Sequence, residues 1–197
     1  LSAAARSASE FADWLIPDPA QPEKHYNNPT KSLGSLRVLL SPSPGEQVTP
    51  RIQTMLTPDS STTRANVEAA LAEFINACQS NPDNVAIVYV AGHGVQISKH
   101  GAIVLLEDFG ADNHLNLLHG AIDMAGVHAG MNVPGFPNEQ FWFVDACRHT
   151  PAIARRFEEL AGALKLDVPA SGGEISPLIL AATTGETAYA RPGGRTL

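Results

Sequence analysis

Two apolar stretches decide the fold of this chain. One is Val85-Ala86-Ile87-Val88-Tyr89-Val90-Ala91, followed by Gly92-His93-Gly94, and the other is Phe141-Trp142-Phe143-Val144, followed by Asp145-Ala146-Cys147-Arg148. Both are rich in Val, Ile or aromatic residues and too short for ordinary helices, so they predict buried parallel strands. In an open α/β sheet, catalytic groups collect in the crevice at the carboxyl ends of the strands. One strand therefore delivers an imidazole to that crevice, and the other delivers a thiol.

His93 and Cys147 are candidates for a catalytic pair. The nucleophile is a thiolate, and a neighbouring imidazole takes the thiol proton and later gives one to a leaving amine. The glycines beside His93 let the backbone turn sharply, and the N–H groups of Gly94 and Cys147 are candidates for an oxyanion hole. Taken alone, Cys147 is also interpretable as a small core residue and His93 as a loop residue. Their matching positions at two strand ends favour catalysis.

The rest of the pattern alternates helices with strands, which predicts a parallel sheet with helices on both faces. The predicted helices are Ala3–Ile16, a helix capped by Thr62 or Thr63, Ala121–Met131 and Ile153–Leu166. The further predicted strands are Leu36–Leu40, Ala102–Leu106 and Pro177–Ala182. The second cysteine, Cys78, falls on the apolar face of the helix after Thr63, so we interpret it as structural.

Length and composition bound the kind of protein. The 197 residues suffice for one domain with a substantial core, and 44% hydrophobic with 17% charged residues is typical of a globular protein. The net charge of −7 argues against nucleic acid or an anionic membrane as the main partner. No apolar stretch has the length of a membrane-spanning helix. Two cysteines cannot form a disulfide framework, which favours a reducing, cytoplasmic location.

Two groups of metal-type side chains give weaker alternatives. Three histidines have a spacing that does not place them on one helical face: His114, His119 and His128. An acidic loop lacks the EF-hand pattern: Glu107, Asp108 and Asp112. We therefore do not interpret the histidines as a metal cluster, and we interpret the acidic residues as a solvated loop. We predict no metal and no cofactor, with calcium activation through the acidic loop left open.

The segments Val88–Gly94 and Phe143–Arg148 resemble the caspase-like cysteine proteases, the superfamily of caspases, metacaspases and bacterial caspase homologues. The histidine of a caspase lies about 50 residues before the cysteine, as it does in this chain. The resemblance implies a three-layer α/β/α sandwich with a mostly parallel central sheet over residues 1–197, and a Cys–His dyad without a cofactor. It also implies a first strand before residue 1 and a last helix after Thr196. We therefore expect the chain to be a piece of a longer protein that has other domains.

One departure from animal caspases concerns specificity. Animal caspases carry Gln two residues before the cysteine and cleave after Asp, whereas this chain has Asp145 there, as metacaspases do. The resemblance implies that Asp145 lies in the S1 pocket and pairs with a substrate Arg or Lys. A carboxylate accepts a guanidinium through two parallel hydrogen bonds and repels an acidic side chain. Glu186 is a second candidate for this pocket, and a helix-capping or orienting role is the alternative for Asp145.

These inferences predict a cysteine endopeptidase that cuts proteins or peptides after basic residues through a thioester intermediate. By resemblance alone, its setting is bacterial defence or regulated cell death. One alternative is a catalytically silent caspase-like module that binds or scaffolds other proteins. Another is an unrelated α/β thiol hydrolase that acts on a small amide or ester. A covalent adduct of an arginyl chloromethylketone on Cys147 would separate the main hypothesis from both.

Overall fold

The computed structural model describes residues 3–96, 102–111, 118–147, 163–166 and 176–182. The helices in these ranges are α1 (Ala4–Leu15), α2 (Pro50–Gln53), α3 (Arg64–Gln79) and α4 (Met124–Met131), and short 3₁₀ turns cover Pro22–Lys24 and Pro58–Ser60. The strands are β1 (Val85–Gly92), β2 (Gly94–Gln96), β3 (Ala102–Leu105), β4 (Ala121–Asp123), β5 (Glu139–Ala146) and β6 (Leu178–Leu180). No helix in the described ranges combines the length and the apolarity needed to cross a membrane.

The two apolar stretches of the sequence are neighbours in one parallel sheet. β1 and β5 pair in parallel over their whole length, from Val85 opposite Glu139 to Gly92 opposite Ala146. β6 pairs in parallel with β5, so the order of these three strands is β1-β5-β6. The predicted parallel sheet and α/β class are confirmed.

Helices pack on both faces of this sheet and complete three layers. On one face, α3 and α4 form the main core with Trp142 and Val144 of β5. On the other face lies α1, whose Phe11 ring stacks on Tyr89 of β1 with centroids 4.8 Å apart. α3 begins where the sequence predicts, because the side chain of Thr63 accepts a hydrogen bond from the backbone N–H of Asn66 at 3.4 Å.

A second, antiparallel sheet corrects two predictions. The strand predicted over Ala102–Leu106 forms as β3, but it pairs antiparallel with β2 and β4 instead of joining the parallel sheet. The helix predicted over Ala121–Met131 begins only at Met124, and the three residues before it form β4. The cause is Asp123, whose Oδ1 accepts the backbone N–H of Gly126 at 3.0 Å and so caps the helix at that point.

Two further predictions are also wrong in part. Leu36–Leu40, predicted as a strand, belongs to no sheet within the described ranges, and its Leu40 donates its backbone N–H to the carbonyl of Ser60 at 2.7 Å. The helix predicted over Ile153–Leu166 does not reach Leu166, because Leu164 forms an isolated parallel bridge with Ile122. Residues 153–162 of that prediction lie outside the described ranges.

A cavity of about 1260 Å³ separates the 36–40 segment from β1. Its lining includes Leu36, Leu40 and most of β1, from Val85 to Gly92. In the part of the chain that the structure describes, β1 pairs only with β5, and its other edge faces this space. Strands with apolar residues on both faces normally lie inside a sheet, so β1 has the composition of an interior strand in the position of an edge.

Candidate active site

His93 and Cys147 each come directly after the last register pair of β1 and β5. In that pair, Gly92 lies opposite Ala146. Because parallel strands run about 4.8 Å apart and end at the same edge of the sheet, the backbones of the two residues are neighbours there. His93 is exposed and Cys147 is partly exposed. Both candidates for the catalytic pair therefore lie at the carboxyl end of the parallel sheet and have access to solvent.

The backbone at His93 is fixed by the second sheet. The carbonyl oxygen of His93 accepts a hydrogen bond from the backbone N–H of Leu105 at 2.8 Å. The next residue, Gly94, opens β2 and pairs with Val104 of β3. The histidine thus occupies the single residue at which the chain passes from the parallel sheet into the antiparallel one.

Gly94 is required here for a reason that the sequence analysis did not identify. A Cβ at Gly94 would lie 2.5 Å from the carbonyl oxygen of Cys147 and 2.9 Å from the Cβ of Ala146. At Gly92 a Cβ would meet only a methyl group of Val104, at 3.7 Å. Neither glycine has a positive φ, so the predicted sharp turn is not why they are glycines. Gly94 instead lets the two motifs touch.

Asp145 is buried with an incomplete set of hydrogen bonds. Its side chain is on the face of the sheet that carries α1, and the residue is only 2% exposed. The hydroxyl of Tyr89 donates to Oδ2 at 3.4 Å, while Oδ1 has no hydrogen-bond partner among the residues that the structure describes. A buried carboxylate oxygen without a donor is energetically costly.

The family model of the caspase domain matches residues 33–193, a range that includes both motifs. The chain belongs to the caspase-domain family. This is a family of cysteine-type peptidases, so the resemblance seen in the sequence is confirmed at the level of the family. No curated protein and no solved structure matches the chain.

The other cysteine of this caspase domain has a different environment. Cys78 lies on α3, is 5% exposed and packs in the main core, as the helical pattern predicts. Burial raises the pKa of its thiol to about 11, so at neutral pH Cys78 stays protonated and unreactive. The second predicted S1 residue, Glu186, lies outside the described ranges.

Two carboxylates of the acidic loop form hydrogen bonds within the domain. Glu107 accepts a hydrogen bond from the hydroxyl of Ser41 at 2.6 Å, and Asp108 accepts the backbone N–H of Arg64 at the start of α3 at 2.9 Å. These contacts tie the loop after β3 to the amino end of α3. Asp112, the third residue of the predicted acidic group, lies outside the described ranges.

The described residues do not form the histidine metal site that was considered as an alternative. His128 contacts the hydroxyl of Ser176 at 2.8 Å through Nε2, and His119 lies in an exposed turn. His114 lies outside the described ranges. Over residues 3–96, 102–111 and the other described stretches, no three His, Cys, Asp or Glu side chains come together as metal ligands.

Proposed function

We propose that this caspase domain is a cysteine endopeptidase that cleaves protein substrates after Arg or Lys, with Cys147 as the nucleophile and His93 as the acid–base group. The observation that carries the proposal is the register of β1 and β5, because it ends the two strands side by side with a thiol and an imidazole as the next residues. The family supports the chemistry. The resemblance to bacterial caspase homologues supports a setting in bacterial defence or regulated cell death.

The reaction follows from the groups at the sheet edge. His93 takes the proton of the Cys147 thiol, and the sulfur attacks the scissile carbonyl carbon to give a tetrahedral intermediate. The backbone N–H groups of Gly94 and Cys147 stabilise the negative oxygen. His93 then protonates the leaving amine as the C–N bond breaks, which leaves a thioester on Cys147. A water molecule, deprotonated by His93, hydrolyses the thioester and releases the acid product.

Asp145 provides the preference for a basic P1 side chain in this proposal. It precedes the nucleophile by two residues, is buried, and within the described part of the chain its Oδ1 has no donor. A guanidinium or ammonium group would supply that donor and neutralise the charge, whereas an acidic P1 side chain would add a second negative charge to a dry site. Glu186 remains a proposed second acidic contact.

Fluorogenic peptides that differ only at P1, with Arg, Lys, Asp or Leu, test the proposal. We expect cleavage after Arg and Lys by the wild-type chain and at least about 10³-fold lower rates in Cys147→Ala and His93→Ala. Cys78→Ala is the matched control, because it removes the other thiol and lies outside the proposed site. Its activity should stay near that of the wild type.

Each other result changes the proposal in a defined way. Cleavage after Asp would retain the peptidase and refute the role of Asp145. Activity that survives Cys147→Ala would refute the proposed nucleophile. No cleavage of any peptide, together with no adduct of an arginyl chloromethylketone on Cys147, would favour the binding or scaffolding module.

We also propose that the first strand of this domain precedes residue 1 and fills the cavity beside β1. Most of β1 lines the cavity, its second edge has no strand partner among the described residues, and Ala4, Ala5 and Ala8 from the first turns of α1 line the same space. A chain that enters α1 from this cavity would form a parallel strand–helix connection of the usual kind. The composition of β1, apolar on both faces, supports a second neighbour for it.

Hydrogen exchange tests this proposal directly. Two versions of the protein would be compared, one beginning at Leu1 and one extended upstream in the natural polypeptide. We expect the amides of Val85–Gly92 to exchange at least about 10-fold more slowly in the extended chain, since the outer edge of β1 becomes paired. The amides of β5 should change less. Equal exchange of Val85–Gly92 in both chains would refute the proposal.

A further inference from the structure

In the described ranges, the carboxylate of Asp145 has one hydrogen-bond donor, Tyr89, which the proposed mechanism does not use. Tyr89 lies on β1 opposite Phe143, two residues before Asp145 on the neighbouring strand, so its ring lies on the same face of the sheet. Its hydroxyl donates to Oδ2 at 3.4 Å. Each carboxylate oxygen accepts two hydrogen bonds, so this contact leaves Oδ1 and one lone pair of Oδ2 for a substrate.

The ring of Tyr89 is itself fixed by α1. Phe11 stacks on it with ring centroids 4.8 Å apart and an angle of 22° between the planes. Phe11 also contacts Phe143, at 5.8 Å between centroids, and so bridges both strands. A stacked aromatic ring has little rotational freedom, so the hydroxyl of Tyr89 points at Asp145 from a fixed position.

We propose that Tyr89 is a positioning residue for Asp145 and sets the preference of the site for Arg over Lys; this inference rests on the proposed function. The terminal torsion of an Asp side chain is soft, so a carboxylate without a fixed neighbour samples a range of planes. A guanidinium forms two parallel hydrogen bonds and needs both oxygens in its own plane, whereas an ammonium is a point charge that tolerates rotation. Fixing Oδ2 therefore favours arginine.

The test is Tyr89→Phe, which removes the hydroxyl and keeps the stacked ring. With matched peptides, we expect KM for P1 Arg to rise about 5-fold with kcat nearly unchanged, while KM for P1 Lys changes less than about 2-fold. Tyr26→Phe is the matched control, because it removes a hydroxyl that binds the carbonyl of Lys31 away from Asp145. That variant should leave the ratio of Arg to Lys cleavage unchanged.

A second variant tests whether the position of the Tyr89 ring matters. Phe11→Leu keeps the hydroxyl of Tyr89 but removes the aromatic stack, and like Tyr89→Phe it should lower the preference for P1 Arg over P1 Lys. Equal KM changes for both peptides in Tyr89→Phe, or no change for either, would overturn the inference while leaving the proposed function intact. A wild-type chain that cleaves neither basic peptide would overturn the proposed function, and this inference with it.

Discussion

β1 and β5 carry the two motifs of the candidate active site, yet the chain supports these strands unequally. β5 has a strand on each side, and its Val144 is 2% exposed. The register partner of Val144 on β1, Val90, is only partly buried and borders the cavity on the outer edge of that strand. In the part of the chain that is described, the thiol thus follows a strand paired on both sides, whereas the imidazole follows a strand paired on one side. The position of His93 depends more on local contacts, above all on Gly94.

The largest effect is expected at the contact between the two motifs. In Gly94→Ala the new Cβ would lie 2.5 Å from the carbonyl oxygen of Cys147, so the two strand ends must separate. We expect kcat/KM to fall by at least about 100-fold, because small displacements at a reacting centre have effects of this size. Gly92→Ala is the control on the other side of His93, where the nearest atom is 3.7 Å away, and it should retain most activity. An equal fall of kcat/KM in both variants would show that activity depends on backbone flexibility around His93 and not on the contact between Gly94 and Cys147.

The second effect concerns the anchoring of β5. Gln140 is completely buried, donates through Nε2 to the carbonyls of Met131 and Pro137 at 2.7 and 3.1 Å, and accepts the indole N–H of Trp142 at 3.2 Å. Gln140→Met leaves these groups without partners and should lower the free energy of unfolding by about 3 kcal/mol. Denaturant unfolding measures it. Glu139→Met, at the exposed neighbouring position, should change stability by less than about 0.5 kcal/mol.

The third prediction compares the stability cost of the same substitution, Val to Ala, at the register partners Val90 of β1 and Val144 of β5. Val144→Ala removes methyl groups from the enclosed core and should cost about 2 kcal/mol, whereas Val90→Ala should cost about half as much. Denaturant midpoints at constant m-value measure both. In a chain extended upstream of Leu1, the proposed extra strand would cover Val90 and reduce the difference. Equal costs in the chain that starts at Leu1 would contradict the unequal support of β1 and β5.

The smallest effect depends on pH. Burial raises the pKa of Cys78 from its ordinary value of 9.0 to about 11, so above pH 9 the unfolded chain releases a proton that the folded chain retains. Stability conferred by the neutral thiol is complete below pH 9 and is lost as the pH rises toward 11. Between pH 8 and about 9.5 the loss should be less than about 1 kcal/mol. The same titration of Cys78→Ala should lack this component, and parallel curves for the two proteins would refute it.

The sequence predicts those parts of the structure that depend on residues close together in the chain. The strand character of β1 and β5 follows from continuous apolar runs, and the capping of α3 follows from a threonine before an amphipathic helix. β2 has only three residues, which is too short for a recognisable alternation of apolar and polar residues. Its pairing with β3 depends on tertiary contacts, so the sequence does not predict it. The contact of Gly94 with Cys147 and the bond from Tyr89 to Asp145 both depend on the register of strands that are far apart in sequence. Asp123 is a favourable N-cap residue, and a helix start predicted from it would have been Met124 instead of Ala121.

The register of β1 and β5 has a consequence for how this domain can vary. Main-chain hydrogen bonds between β1 and β5 hold Gly92 opposite Ala146. This pairing fixes the relative positions of His93 and Cys147, independently of the length of the chain that connects the two strands. Stretches between Gln96 and Glu139 that lie outside β3, β4 and α4 can therefore lengthen, shorten or take up an inserted module while the reacting pair keeps its spacing. An insertion inside either strand, even of one residue, would instead turn one member of the pair to the opposite face of the sheet. Tolerance to insertions should consequently change abruptly at the strand ends.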